Sequence, residues 1–174
     1  MTVDEYSQLP DDGIRYELQA GVLVSEPVPV SRHARVQMRI GYLLEAFVAP
    51  RGLGVVFGEN GYLLSTDPDT LLGPDVSFVR TERYDPEEAD RVFRGAPDLA
   101  IEVLSLSNRP REMHGKVADY LAAGAELVWV VDPKRRSVTV YRTLLSPRRV
   151  SGDEALDGED VLPGFSVKVS ELFT

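Results

Sequence analysis

Two carboxylates and one lysine in the middle of the chain are the residues best suited to chemistry. Asp75 follows Pro74 at the start of an apolar run, Glu102 lies inside a second apolar run over residues 98–104, and Lys116 follows in a helical pattern. Carboxylate oxygens are preferred ligands of Mg²⁺, and a nearby lysine can stabilise negative charge that develops in a transition state. If the fold brings the three together, they form a site able to hydrolyse a phosphodiester.

Strand geometry separates Asp98 from this group. Asp98 and Glu102 lie on the same face of one predicted strand, but four residues at about 3.3 Å each place them roughly 13 Å apart. Ligands of one metal must reach it at about 2.0–2.6 Å. We therefore predict that Asp98 is a turn residue at the start of the strand and that Asp75, on a neighbouring strand, accompanies Glu102.

Glu102 and Lys116 each have a structural alternative. A carboxylate in an apolar strand is costly to bury unless it is paired or bound to a metal, so Glu102 is either a ligand or part of a buried salt bridge, for instance with an arginine. Lys116 follows Glu112 by four residues, which favours an ion pair on the helix surface. It also lies at the margin of an apolar stripe and leans toward the helix N-terminus, so it can reach inward.

The remaining candidates carry weaker signals. Glu17 lies in a predicted hairpin and is either a further ligand or an exposed strand residue. His33 and His114, which lack a third partner, are predicted to be surface or packing residues. Ser105 and Ser107 do not lie in a nucleophile-elbow motif and are expected in a loop. The chain also lacks a Gly-rich phosphate-binding motif.

Composition indicates a globular protein. The 174 residues are 43% hydrophobic and 27% charged, which predicts a single domain over residues 1–174. The absence of cysteine excludes disulfides and thiolate zinc sites and fits a reducing compartment, so we expect a cytoplasmic protein. No signal peptide and no apolar run of membrane-spanning length is visible.

The net charge of −9 argues against a generic nucleic-acid binder. The arginines are unevenly distributed, however, and form either a local basic path or a solvated face. Those that mark the candidate path are Arg32, Arg35, Arg39, Arg109 and Arg111.

Hydrophobic periodicity predicts a mixed sheet flanked by helices, an α/β or α+β fold. The predicted strands cover residues 15–18, 22–25, 54–57, 61–65, 74–80, 98–104 and 126–131, then residues 137–142 and a last strand around Val167. One helix begins at Ser31 as N-cap and carries the stripe Val36, Ile40, Leu43, Leu44 and Phe47. A second carries Met113, Val117, Tyr120 and Leu121. Residues 81–94, 105–110 and the acidic run 153–160 are predicted to be loops.

Several short segments, in this order, resemble a known family. They are residues 15–18 (Arg-Tyr-Glu-Leu), 73–76 (Gly-Pro-Asp-Val), 97–105, 116–120 (Lys-Val-Ala-Asp-Tyr), 128–133 (Val-Trp-Val-Val-Asp-Pro), 162–165 (Leu-Pro-Gly-Phe) and 171–173 (Glu-Leu-Phe). Together they resemble the Uma-two family of predicted endonucleases, a branch of the PD-(D/E)XK restriction-endonuclease-like superfamily. The resemblance spans nearly the whole chain.

The resemblance implies a restriction-endonuclease-like core with a Mg²⁺ or Mn²⁺ site. It maps Asp75 onto the motif aspartate and Glu102 onto the following acidic position, while Leu104 stands where the motif has lysine. Lys116 then corresponds to a lysine displaced onto the helix, and Glu17 to an acidic residue that completes the metal shell.

The same resemblance implies a Mg²⁺-dependent endonuclease that acts on DNA. Leu106 and Asn108 depart from the family's loop pattern, which affects the expected loop geometry but not the three site residues. The acidic composition and the missing strand lysine favour the alternative of a nuclease-fold binding or regulatory module. A homodimer formed through apolar edge strands is a third possibility.

Overall fold

The computed structural model describes residues 1–26, 28–105 and 110–174, and these alternate short strands with two long helices. The helices are α1 (Val3–Ser7), α2 (Ser31–Val48) and α3 (Pro110–Ala122). Short 3₁₀ turns span Ala49–Arg51, Thr81–Arg83, Pro86–Glu88 and Val169–Phe173. Most of the loop predicted at 105–110, with Leu106, Ser107, Asn108 and Arg109, lies outside the described residues.

The strands are numbered in chain order. They are β1 (Tyr16–Gln19), β2 (Val22–Ser25), β3 (Gly54–Gly58), β4 (Tyr62–Ser65), β5 (Thr70–Leu72), β6 (Val76–Arg80) and β7 (Phe93–Arg94). The second half of the chain adds β8 (Leu99–Val103), β9 (Leu127–Asp132), β10 (Ser137–Tyr141), β11 (Arg148–Ser151), β12 (Ala155–Gly158) and β13 (Leu162–Lys168).

A six-stranded mixed sheet forms the centre of the fold, in the order β11-β10-β9-β8-β6-β3. Strand β8 runs parallel to β9 and antiparallel to β6, and all its residues are buried. Helix α2 packs on one face of this sheet and α3 on the other. The predicted mixed sheet flanked by helices is therefore confirmed.

Helix α2 follows from the predicted apolar stripe. Val36, Ile40 and Leu44 are buried at helical spacing, as expected for an amphipathic helix on a sheet. The predicted N-cap is wrong by one residue. Val30 is the N-cap and makes no side-chain hydrogen bond, whereas Ser31 is the first helical residue.

A second sheet, in the order β2-β1-β5-β4-β7, carries the N-terminal hairpin. The predicted hairpin is confirmed, with Tyr16 opposite Ser25 and Gln19 opposite Val22. Strands β3 and β4 also form as predicted, but they do not pair with each other. Strand β3 pairs with β6 in the main sheet, whereas β4 pairs with β5 in the second sheet.

Two predicted loops contain additional strands. In the acidic run, β12 pairs with β13 because fully buried Leu156 joins the main core. In the charged excursion over residues 81–94, most residues are exposed, but Phe93–Arg94 adds an edge strand to β4. Within the described ranges, no helix is long and apolar enough to cross a membrane.

Candidate active site

Asp75, directly before β6, lies beside Glu102 of the adjacent strand β8. Val76 pairs with Ile101 between antiparallel β6 and β8, and continuing this register by one residue places Asp75 opposite Glu102. Directly opposed residues share a face, with Cβ atoms about 4.5–5.5 Å apart. The backbone N–H of Val103 donates to Oδ2 of Asp75 at 2.6 Å, which fixes this carboxylate against β8.

Lys116 reaches this pair from α3. Its side chain is buried, and its Nζ lies 3.9 Å from Oε1 of Glu102, 2.8 Å from Oε2 of Glu17 and 3.1 Å from Oε1 of Glu26. Burial alone would lower the pKa of Lys116, but the three glutamates outweigh it and raise the pKa. The ammonium therefore stays charged, and the inward-reaching position is the one that Lys116 adopts.

The N-terminal hairpin supplies the two glutamates that hold Lys116. Glu17 is 2% exposed, so the alternative of an exposed strand residue is wrong, and its Oε1 accepts a hydrogen bond from the N–H of Gly73 at 3.1 Å. Sequence reasoning missed Glu26. The hairpin register contained the signal, because Glu17 pairs with Val24 and the residue two positions further lies on the same face.

Two further side chains contact the pair of carboxylates. Tyr120, one helical turn after Lys116, donates its O–H to Oε1 of Glu102 at 2.8 Å. His33 is buried, with its Nε2 3.2 Å from Oδ2 of Asp75. The prediction of His33 as a surface or packing residue thus missed its contact with Asp75. Its spacing three residues before Val36, on the buried stripe of α2, was the available signal.

Among the described residues, hydrogen bonds reach one oxygen of each carboxylate. Both the Val103 N–H and the His33 ring bind Oδ2 of Asp75, and the Tyr120 hydroxyl binds Oε1 of Glu102. Among the described residues, no donor binds Oδ1 of Asp75 or Oε2 of Glu102. No donor in the described ranges therefore competes with a cation for these two oxygens.

Negative charge is in excess at this point of the fold. Burial raises the pKa of Glu102 to about 8, and Asp75 and Glu17 add to this effect although Lys116 opposes it. Burial also raises the pKa of Glu17, against the attraction of Lys116. Glu17, Glu26 and Glu102 share one lysine, while Asp75 beside them contacts His33, so a divalent cation would relieve the excess of negative charge.

The carboxylates of Asp75 and Glu102 fit Mg²⁺ or Mn²⁺ if water and phosphate supply the remaining ligands. Mg²⁺ commonly uses one or two carboxylates and takes its remaining ligands from water and phosphate. Asp75 and Glu102 supply two such carboxylates. Within the part of the chain that the structure describes, no group of three or more His, Cys, Asp or Glu is arranged to hold a metal. Glu17 as a third ligand stays a prediction.

The carboxylates and the lysine line one cavity of about 300 Å³ between the hairpin, the sheet and α3. A family model described as "Putative restriction endonuclease", Uma2, matches residues 3–170. The chain belongs to the Uma2 family. The resemblance stated from the short segments is thereby confirmed.

A solved structure supports the fold of this Uma2 protein. A crystal structure of a putative nuclease belonging to DUF820 from Anabaena variabilis ATCC 29413 superposes with a TM-score of 0.87 at 24% identity, over 99% of this chain and 97% of that one. At this identity the likeness concerns the fold. No curated protein matches the chain.

Asp98 lies at the opposite end of β8 of the Uma2 chain, outside the cavity. Its Oδ1 accepts from Nη1 of Arg80 at 2.8 Å and pairs with Arg83 at 3.0 Å, and its Oδ2 accepts the backbone N–H of Arg80. Asp98 therefore does more than begin a strand. It is a buried ion-pair residue that joins β6 to β8, away from Glu102.

Proposed function

We propose that this Uma2 protein is a metal-dependent endonuclease that hydrolyses phosphodiester bonds of DNA. The supporting observation is that three side chains far apart in sequence meet in one cavity: Asp75 directly before β6, Glu102 on β8 and Lys116 on α3. Family membership and the nuclease neighbour agree with this chemistry.

In this proposal Asp75 and Glu102 would hold the metal. Bound Mg²⁺ or Mn²⁺ supplies Lewis-acid polarisation of the phosphate and lowers the pKa of an attacking water. Val103 and His33 orient Asp75, and Tyr120 orients Glu102. These contacts preset both carboxylates before substrate arrives, which lowers the cost of assembling the site.

Lys116 supplies positive charge beside Glu102. A pentacovalent phosphoryl transition state carries more negative charge than the ground state, so a fixed ammonium stabilises it preferentially. Glu17 and Glu26 hold the ammonium in place at 2.8 and 3.1 Å. In this role they act through Lys116, by positioning it.

A nicking assay on supercoiled plasmid tests the proposal. The purified protein should convert plasmid to the nicked form with Mg²⁺ or Mn²⁺ but not with EDTA. Glu102→Gln and Lys116→Met should each lose most of this activity, whereas their matched surface controls Glu45→Gln and Lys168→Met should keep it. Wild-type activity in Glu102→Gln would remove the assignment.

One observation favours the alternative of a binding module without catalysis. Lys116 is closer to Glu17 and Glu26 than to Glu102, so two glutamates already neutralise much of its charge. Isothermal titration calorimetry discriminates between the two functions. Absence of Mn²⁺ binding at millimolar metal would favour the module, and saturable binding lost in Glu102→Gln would favour the nuclease.

A further inference from the structure

A second, larger cavity of about 900 Å³ adjoins the carboxylate cavity. Its walls come from the start of α2, the first half of α3 and the ends of β8 and β9, together with β10 and β11. His33 and Ser105 line both cavities, so the two meet at these residues. We call the larger one the basic groove.

Basic side chains surround this groove, in contrast to the acidic protein as a whole. Arg32, Lys134, Arg135 and Arg149 line it, together with His114, whereas Asp132 is its acidic member and is paired with Arg135 at 2.9 Å. Among the described residues, Arg32 and Lys134 have no ion-pair partner. Unpaired cations beside a candidate phosphodiester-cleaving site fit a polyanionic backbone.

The carboxylate cavity differs from the groove in charge. Its lining includes Glu26 and Glu59, and its Arg15 is paired with Glu59 at 3.1 Å. Among the described lining residues, cations without an ion-pair partner, such as Arg32 and Lys134, therefore lie in the basic groove. A duplex presents two backbones, whereas a single strand needs only one basic wall.

Four apolar or aromatic side chains also line the groove, and we call them its apolar floor. They are Leu104, Met113, Val130 and Tyr141. Unpaired bases stack on aromatic side chains such as Tyr141 and pack against neighbouring apolar groups, whereas paired bases hide their faces within the duplex. A volume of about 900 Å³ falls within the range of pockets that enclose small ligands, which leaves room for an unpaired base with its sugar and phosphate.

We propose that the basic groove binds an unpaired nucleic-acid strand next to the bond to be cut, with phosphates along Arg32 and Lys134 and bases on the apolar floor. The proposal rests on the proposed nuclease function for the position of that bond. It adds the form of the substrate, a single strand or a locally opened duplex, and the side from which the strand enters.

Fluorescence anisotropy in EDTA, where a metal-dependent enzyme does not cleave, tests binding separately from catalysis. The probes are a short fluorescein-labelled single strand and its duplex. The test variant is Arg32→Glu with Lys134→Glu, and the control is Arg94→Glu with Lys168→Glu, the same charge change at residues that do not line the groove. Circular dichroism melting verifies that each variant folds, and the single substitutions repeat the measurement.

The wild-type protein should bind the single strand at least about 10-fold more tightly than the duplex. The groove variant should lose about 10-fold or more, and its salt slope should fall by about 0.7 for each phosphate contact removed, while the control stays within about 2-fold. Equal loss in groove and control variants, equal or tighter duplex binding, or no binding of either probe would overturn the proposal.

The two proposals can fail separately. Groove-dependent binding without cleavage of either the plasmid or the single strand under any metal would reject the nuclease and keep the groove. Metal-dependent nicking by a protein whose groove variant binds the single strand normally would keep the nuclease and reject the groove.

Discussion

The two ends of β8 hold buried acids in opposite electrostatic situations. At one end, Asp98 is paired with Arg80 and Arg83 at 2.8 and 3.0 Å. At the other, Glu102 and two further glutamates share Lys116, while Asp75 beside them contacts His33. A buried acid that is ion-paired with arginines connects parts of the fold, whereas buried acids in excess create a place for a cation to bind.

The largest effect is expected at Glu102, at the end of β8 where negative charge is in excess. Glu102→Gln should lower cleavage by about 100-fold to 1,000-fold, because it removes a ligand of the proposed metal, whose contribution is several kcal/mol. Stability should not fall, since the change removes one of the crowded charges. Plasmid nicking and urea unfolding measure the two quantities. A large loss of stability together with full activity per folded molecule would instead assign Glu102 a role in stabilising the fold and none in binding a metal.

The matching change at Asp98, at the other end of β8, should lower stability and leave cleavage unchanged. Asp98→Asn leaves Arg80 and Arg83 without their buried partner, so the free energy of unfolding should fall by about 3 kcal/mol. Cleavage per folded molecule should stay unchanged at a temperature where the variant is folded. Urea denaturation measures the free energy of unfolding. The exposed Asp119→Asn is the control, and its free energy of unfolding should stay within about 0.5 kcal/mol of the wild-type value.

A smaller effect is expected at His33, which touches Asp75 from α2. His33→Ala should weaken Mn²⁺ binding by about 10-fold to 100-fold, as is typical when a residue that orients a metal ligand is lost. The exposed His114→Ala is the control and should bind Mn²⁺ normally. Calorimetric titration with Mn²⁺ gives both affinities, and equal affinities would exclude an orienting role for His33.

The smallest effect is expected at Tyr120, whose hydroxyl donates a hydrogen bond to Glu102. Tyr120→Phe removes the 2.8 Å hydrogen bond to Oε1 and should lower stability by about 1–2 kcal/mol. Tyr42→Phe, at a tyrosine that is 62% exposed, should leave stability unchanged. Chemical denaturation of both variants provides the test, and a stable Tyr120→Phe would mean that Glu102 does not depend on this donor.

Local sequence pattern accounts for much of this fold. The apolar run of β8, the stripe of α2 and the hairpin at Gly21 follow from periodicity and turn chemistry. Strand spacing also separated Asp98 from Glu102. The sequence by itself therefore determined the main elements and predicted that Asp75, Glu102 and Lys116 could meet.

The tertiary structure alone decided which side chains surround them. Glu17 and Lys116 are 99 residues apart in sequence, and no local pattern indicates their contact. The same holds for His33 on Asp75 and for the division of β3 and β4 between two sheets. Periodicity reports which face of an element is buried, whereas the partner on that face depends on how distant segments pack, and this packing sets the charge balance at each end of β8.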